Sequence, residues 1–232
     1  MSYHANTFDS PNPLIRFAHR KRLETALNLT KVPAGGTLLD YGCGDGLFLA
    51  KYSEIQKSAD HCIGFEPFMS ERQSSGVPIF NDWANVEDRL GEDGVAVVTC
   101  FEVLEHLTEP MQADALRRIR RIMNTSGALI VSVPIECGLP SLPKNFFRWL
   151  RSRGKSSVYS LKNIAKSLFA IPIPECRDGE DYLSHMGFYY RNLETVMQNE
   201  FVIASRNYSP LPALGGQFNS QVFYELKPRK AN

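Results

Sequence analysis

Residues 37–46 leave few folds open to this chain. Thr37-Leu38-Leu39-Asp40-Tyr41 reads as a short buried strand that ends beside an acid. Gly42-Cys43-Gly44-Asp45-Gly46 follows as a tight turn, and residues 47–55 read as a helix. Glycines between a strand and a helix let a ligand approach the backbone at the helix N-terminus. The pattern then repeats. Strands are expected at 62–65, ending at Glu66, at 77–80, ending near Asp82, and at 95–101. The last of these, VAVVTCF, is the continuous apolar run of a strand buried on both faces. Residues 110–123 read as a helix with Leu116, Ile119, Ile122 and Met123 inward, and residues 127–134 as the fifth strand. Strands alternating with helices predict βαβ crossovers and a parallel sheet covered on both sides.

The alternation stops at Ile135. Residues 136–183 hold two apolar-basic segments, KNFFRWLRSR and LKNIAKSLFAI, too long for a plain connection and too apolar for disorder. They read as a small helical cap, with Phe146, Phe147, Trp149 and Leu150 packed inward. A membrane surface, a phosphate-bearing substrate and RNA are the other partners that such a basic-aromatic mixture suits. A helix at 191–199 and strands at 201–208 and 221–226 complete seven strands, and residues 12–29 read as a leading helix. The expected division is residues 1–36 as an N-terminal helical segment, 37–135 with 184–232 as the core, and 136–183 as an inserted cap.

At 232 residues with 43% hydrophobic and 22% charged, the chain suits one large α/β domain. Its formal net charge of +1 excludes the global basic field of a dedicated nucleic-acid binder, though not a local patch. Arg117, Arg118, Arg120 and Arg121 read as the solvated side of a core helix. No apolar run is long enough to cross a bilayer, and the opening residues lack a signal-peptide pattern. Cys43, Cys62, Cys100, Cys137 and Cys176 never form CxxC, which fits a reducing cytoplasm. Composition leaves the oligomeric state open.

The glycine turn is GxGxG, and Leu47 stands where a dinucleotide fingerprint would have its last glycine. Asp40 would sit badly beside a pyrophosphate; it favours a cationic ligand, and S-adenosylmethionine carries both an ammonium and a sulfonium. Glu66, twenty residues after Gly46, is placed to accept from ribose hydroxyls. Asp82 can accept from an adenine amino group, with Trp83 packed either on the base or in the core. LLDYGCGDG, GFEP, Asp82, FEVLEHL and GALIVSVP, in that order, resemble the motifs of class I S-adenosylmethionine-dependent methyltransferases. The resemblance covers residues 37–135, and HMGFYYRNLETVMQNEF resembles a later segment of such enzymes. Ala96 replaces an acid often found there, and Asn124-Thr125-Ser126-Gly127 replaces a Gly-Gly pair. The resemblance implies a doubly wound, mostly parallel seven-stranded α/β sheet of Rossmann-like type, with a helical cap insertion after the fifth strand. It implies S-adenosyl-L-methionine as cofactor, held by Asp40, Gly42, Cys43, Gly44, Gly46, Glu66, Asp82, Trp83, Phe101 and Glu102, and a small-molecule acceptor.

Glu102, Glu105 and His106 follow the fourth strand at the edge where ligands bind, and their spacing places them on one face if the segment is a helical turn. His106 then stands either as a general base or as a residue that shapes the site. ExxEH is also similar to the segment that, with a distant histidine, holds a divalent ion in small-RNA ribose 2′-O-methyltransferases, and it appears in ubiquinone-pathway O-methyltransferases. His185 is the natural distant partner. We expect His106 and His185 to be catalytic, assign no metal ligand, and favour oxygen as the atom methylated. A ribose methyltransferase, a nicotinamide-dependent dehydrogenase and a non-catalytic cofactor-binding subunit are the alternatives.

Overall fold

Helix α1 (Pro13–Leu29) leads into strand β1 (Leu38–Tyr41), and the glycine turn joins β1 to α2 (Leu47–Gln56). There follow β2 (Cys62–Phe65), β3 (Arg72–Ser74), β4 (Val77–Phe80), α3 (Trp83–Leu90), β5 (Val95–Phe101), α4 (Glu109–Ile122) and β6 (Met123–Pro134). Helices α5 (Ser141–Arg151), α6 (Leu161–Leu168) and α7 (Tyr190–Glu200) precede β7 (Phe201–Ser209) and β8 (Gln221–Pro228). The computed structural model describes residues 11–57, 61–68, 72–74, 76–153, 156–173 and 185–229. Cys176, Lys155 and part of the expected cap lie outside these.

The strands form one sheet in the order β3-β4-β2-β1-β5-β6-β8-β7. β4, β2, β1, β5 and β6 run parallel, while β8 is antiparallel to both β6 and β7. All seven expected strands are present, and the sheet is mixed, its five central strands parallel and its other pairings antiparallel. An eighth strand, Arg72–Ser74, pairs antiparallel to β4. Its sequence, RQS, lacks the apolar alternation that announces a strand. Helix α3 was likewise not anticipated, because it buries only Trp83 and Val86.

Two apolar layers flank the sheet. Val98 and Cys100 of β5 face α4 and α7, packing with Leu116, Ile119, Leu193 and Met197. Val97 and Leu38 face α1 and α2, packing with Ala26, Phe48 and Leu49. The apolar run of β5 follows from this double burial. The arginines of α4 lie on its solvent side, where Arg118 pairs with Asp114 at 2.7 Å and Arg121 with Glu92 at 2.9 Å.

Helices α5 and α6 lie in the described part of residues 136–183, and the polarity of α5 is the reverse of the expected one. Phe146, Phe147 and Leu150 are 50%, 65% and 52% exposed. The fully buried residues of α5 are Ser141 and Asn145; those of α6 are Asn163, Ile164 and Ser167. Polar demand explains the inversion. Ser167 donates to the Glu136 carbonyl at 2.6 Å, Asn145 to Ser167, and Lys144 and Arg148 each reach the buried Glu136 carboxylate at 3.0 Å. These partners fix the rotation of α5. Trp149 alone of the four expected inward side chains packs toward a small cluster of Ile164, Ile173 and Met186.

Candidate active site

Between β2 and β5, on either side of β1, the connections depart in opposite directions, which opens a crevice at the C-terminal ends of the strands. A cavity of about 760 Å³ lies there, within the range of ~300–1,000 Å³ typical of small-molecule sites.

The glycine turn forms its floor. Gly42 has φ +75°, and a Cβ on it would come within 2.3 Å of Val103. Gly44 has φ +55° with open space above it. The Glu66 carboxylate accepts from the Gly44 N–H at 3.0 Å and from the Phe68 N–H at 3.3 Å. Asp40 is buried and accepts from the Thr99 hydroxyl at 2.7 Å. Burial pushes its carboxyl up to about 7, Thr99 opposes this, and Glu66 adds to it. Cys43 is buried beside them, and burial raises its thiol. Asp40, Gly42, Cys43, Gly44, Glu66, Phe101, Glu102 and His106 all border the cavity. Gly46 does not; at φ +79° it caps α2. Asp82 and Trp83 are also not among its lining residues. The Asp82 carboxylate caps α3 by accepting from the Ala84 N–H at 3.0 Å. Trp83 is buried edge-to-face against Tyr41 and Phe65.

The opposite wall comes from the expected leading helix and last strand, whose side chains were not expected at the site. Arg22 and His19 of α1 border the cavity, as do Gln221 and Phe223 of β8. Burial, aided by Arg22, lowers His19 to about 4, so it is neutral near pH 7. Gln221 donates to Glu102 at 2.6 Å and to Ser132 at 2.9 Å, and Arg22 stands 3.8 Å from Glu102. Burial raises the Glu102 carboxyl, and Arg22 opposes it. The basic residues in the 12–29 pattern were the only signal for Arg22.

The single face expected for Glu102, Glu105 and His106 does not form. Glu102 adopts φ +56°, a left-handed backbone that costs about 1–2 kcal/mol. A 3₁₀ turn, Leu104–His106, begins after it. Glu102 is thereby held by β8, while the buried Glu105 and His106 meet His185. The two imidazoles pack edge-to-face at 4.7 Å, and His185 Nδ1 stands 4.0 Å from Glu105. One potential ligand atom from each of Glu105, His106 and His185 falls within 4.8 Å of the others. Burial lowers His185 to about 4, partly offset by Glu136. Of the two histidines, His106 borders the cavity and His185 backs it.

The donor set suits S-adenosylmethionine. Asp40, Glu66 and Glu102 offer carboxylates to a ligand with two cationic centres, Arg22 offers a guanidinium to its carboxylate, and Gly44 leaves the approach clear.

Comparison with known proteins agrees with this geometry. A family described as "Methyltransferase domain" matches residues 14–169. A ubiquinone biosynthesis O-methyltransferase of Vibrio campbellii is 24% identical over 198 residues, covering 82% of this chain and 75% of that protein. A Pyrococcus horikoshii protein shares the fold with a TM-score of 0.58 at 13% identity, covering 98% of this chain and 96% of its own. The N-methyltransferase NodS of Bradyrhizobium japonicum, solved with S-adenosyl-L-homocysteine, gives 0.51 at 14% identity, covering 95% and 90%. No helix among the described residues is long and apolar enough to cross a membrane. With more than half of its length matched, the chain belongs to the methyltransferase domain family and is a methyltransferase.

Proposed function

We propose that the enzyme methylates a hydroxyl oxygen of a small-molecule acceptor of lipid or sugar type. The observation that carries this reading is that His106 borders the same cavity as the glycine turn while a neutral imidazole backs it. The similarity to an O-methyltransferase at 24% identity is compatible with it.

S-adenosylmethionine, when bound, supplies an electrophilic methyl on a sulfonium with a good leaving group. The chain's own residues hold the donor, align the acceptor and receive a proton. Gly42, Cys43 and Gly44 supply the backbone floor, with Gly46 setting the helix start. Asp40 and Glu102 balance the donor's positive charge, Phe101 flanks it, and Glu66 accepts from its ribose. Arg22 pairs with its carboxylate. An adenine contact for Asp82 and Trp83 rests on their position after β4 alone. His106 accepts the hydroxyl proton. His185, kept neutral by burial, positions the His106 ring and is too weak a base to replace it. Residues 136–183 act as the acceptor-side cap, anchored through Glu136.

A second reading is favoured by the Glu105, His106 and His185 cluster. A carboxylate and two imidazoles at this separation would suit zinc, manganese, iron or cobalt better than magnesium. Methyl transfer from labelled donor to a panel of hydroxyl, amine and carbon acceptors, with and without a chelator, tests both. Turnover restricted to amines or carbons would overturn the oxygen assignment, and loss of hydroxyl methylation on chelation would favour the ion.

A further inference from the structure

The reversed polarity of α5 and α6 needs an explanation. A helix on a water-facing surface turns its apolar stripe inward and its polar side out. Here Ser141, Asn145, Asn163 and Ser167 are buried, with Ile164 the one apolar residue of the two helices buried beside them, while Phe146, Phe147, Leu150, Leu161 and Phe169 are at least half exposed. Phe146 and Leu150 are four apart on α5; Leu161 opens α6, and Phe169 is the first residue after it. Ile171, 48% exposed, follows in the chain after α6.

Charge adds a second, independent observation. From α5 to α6, residues 141–168 contain seven Lys or Arg and no Asp or Glu, and the rest of residues 136–183 adds one Arg and five acids. The whole chain carries only +1, so everything outside residues 141–168 carries −6. Lys144 and Arg148 are used internally on Glu136. Arg151, Arg153 and Lys162 are exposed beside the apolar side chains.

We propose that the outer face of α5 and α6 docks on the surface of an anionic lipid bilayer. Amphipathic helices that lie in the interface bury aromatic and aliphatic side chains among acyl chains and set cations against headgroups. Phe147 and Phe169 supply the first contact, and Arg151, Arg153 and Lys162 the second. A second copy of this chain fits less well, because pairing would oppose two strongly basic faces. A nucleic acid would use the cations and stack on the phenylalanines, but it gives Leu150, Leu161 and Ile171 nothing to bind. The inference stands apart from the acceptor assignment: docking concerns the outer face, and methyl transfer the cavity.

Co-sedimentation of the full chain with vesicles tests it. Strong binding is expected to vesicles of mixed phosphatidylcholine and phosphatidylglycerol, with much weaker binding to phosphatidylcholine alone. Phe147→Ser with Phe169→Ser should lower the partition by about tenfold or more, as expected for losing apolar burial. Arg151→Gln and Lys162→Gln should each lower it by about fivefold and reduce its salt dependence. Both sets lie on the exposed face, and circular dichroism checks the fold. Brominated lipid gives a second readout, quenching Trp149, whose ring stacks on the half-exposed Phe146 at 5.6 Å, while core Trp83 stays unquenched. Failure to bind the mixed vesicles overturns the proposal. Binding lost on charge removal but kept by the serine variants overturns it in favour of an anionic polymer such as RNA. A solution dimer that Phe147→Ser dissociates overturns it in favour of self-association.

Discussion

Asp40→Asn should make the fold more stable and the cofactor site worse, with a defined pH dependence. The Asp40 carboxyl lies at about 7 instead of 3.8, mainly because burial penalises its charge. At about 1.4 kcal/mol per pH unit, holding it ionised costs about 4 kcal/mol, an upper bound once local relaxation is allowed. Between the two values the native protein keeps a proton that the unfolded chain has lost, so this contribution to stability falls as pH rises. About 2–3 kcal/mol of it is lost between about pH 5 and pH 8. Urea unfolding of wild type and Asp40→Asn across that range isolates the effect, because other titrating groups are common to both. The variant's advantage should grow with pH and level off above about pH 7. Its affinity for S-adenosylmethionine should fall by about 1.5–3 kcal/mol at pH 8, the range for a lost charge-assisted contact. Wild-type affinity should itself rise as pH passes about 7, as the carboxylate forms. Parallel stability profiles would show that Asp40 ionises normally, and unchanged affinity would remove it from the donor site.

Three further outcomes follow from the cavity. Glu66→Ala should weaken S-adenosylmethionine binding by about 1.5–3 kcal/mol in calorimetry, while circular dichroism shows a retained fold. Gly42→Ala should destabilise the protein by about 2–5 kcal/mol in chemical unfolding, because the new Cβ meets Val103 and φ is +75°. His106→Ala should slow turnover by roughly 10²–10⁴-fold with donor affinity nearly constant, and His185→Ala should cost less; equal losses that chelation reproduces would favour a bound ion.

The glycine-turn side of the cavity was legible because its residues are contiguous in pattern. Asp40, Gly42, Gly44 and Glu66 sit at strand ends, where local pattern fixes both conformation and position. The facing wall was not legible. Arg22 and Gln221 lie 199 residues apart in sequence, and only the sheet order brings both to Glu102. The ExxEH spacing misled for a local reason: the left-handed backbone at Glu102 breaks the periodicity that a helical turn would impose. Phe146, Phe147 and Leu150 were misplaced because apolar character does not by itself mean burial. The demand of the buried Glu136 for Lys144 and Arg148 decided which way α5 turned.

The position of β8 bears on how the chain can be assembled. It is the last strand in sequence among the described residues, yet it lies between β6 and β7 and hydrogen-bonds to both. Until residues 221–228 are in place, β6 has an open edge and β7 has no neighbour in the sheet. Most of β6 is buried in the finished protein, so its edge is an apolar template for misassociation during synthesis. Insertion of the C-terminal strand is therefore a late, long-range step, and nascent chains stopped short of it would be the ones most in need of a chaperone.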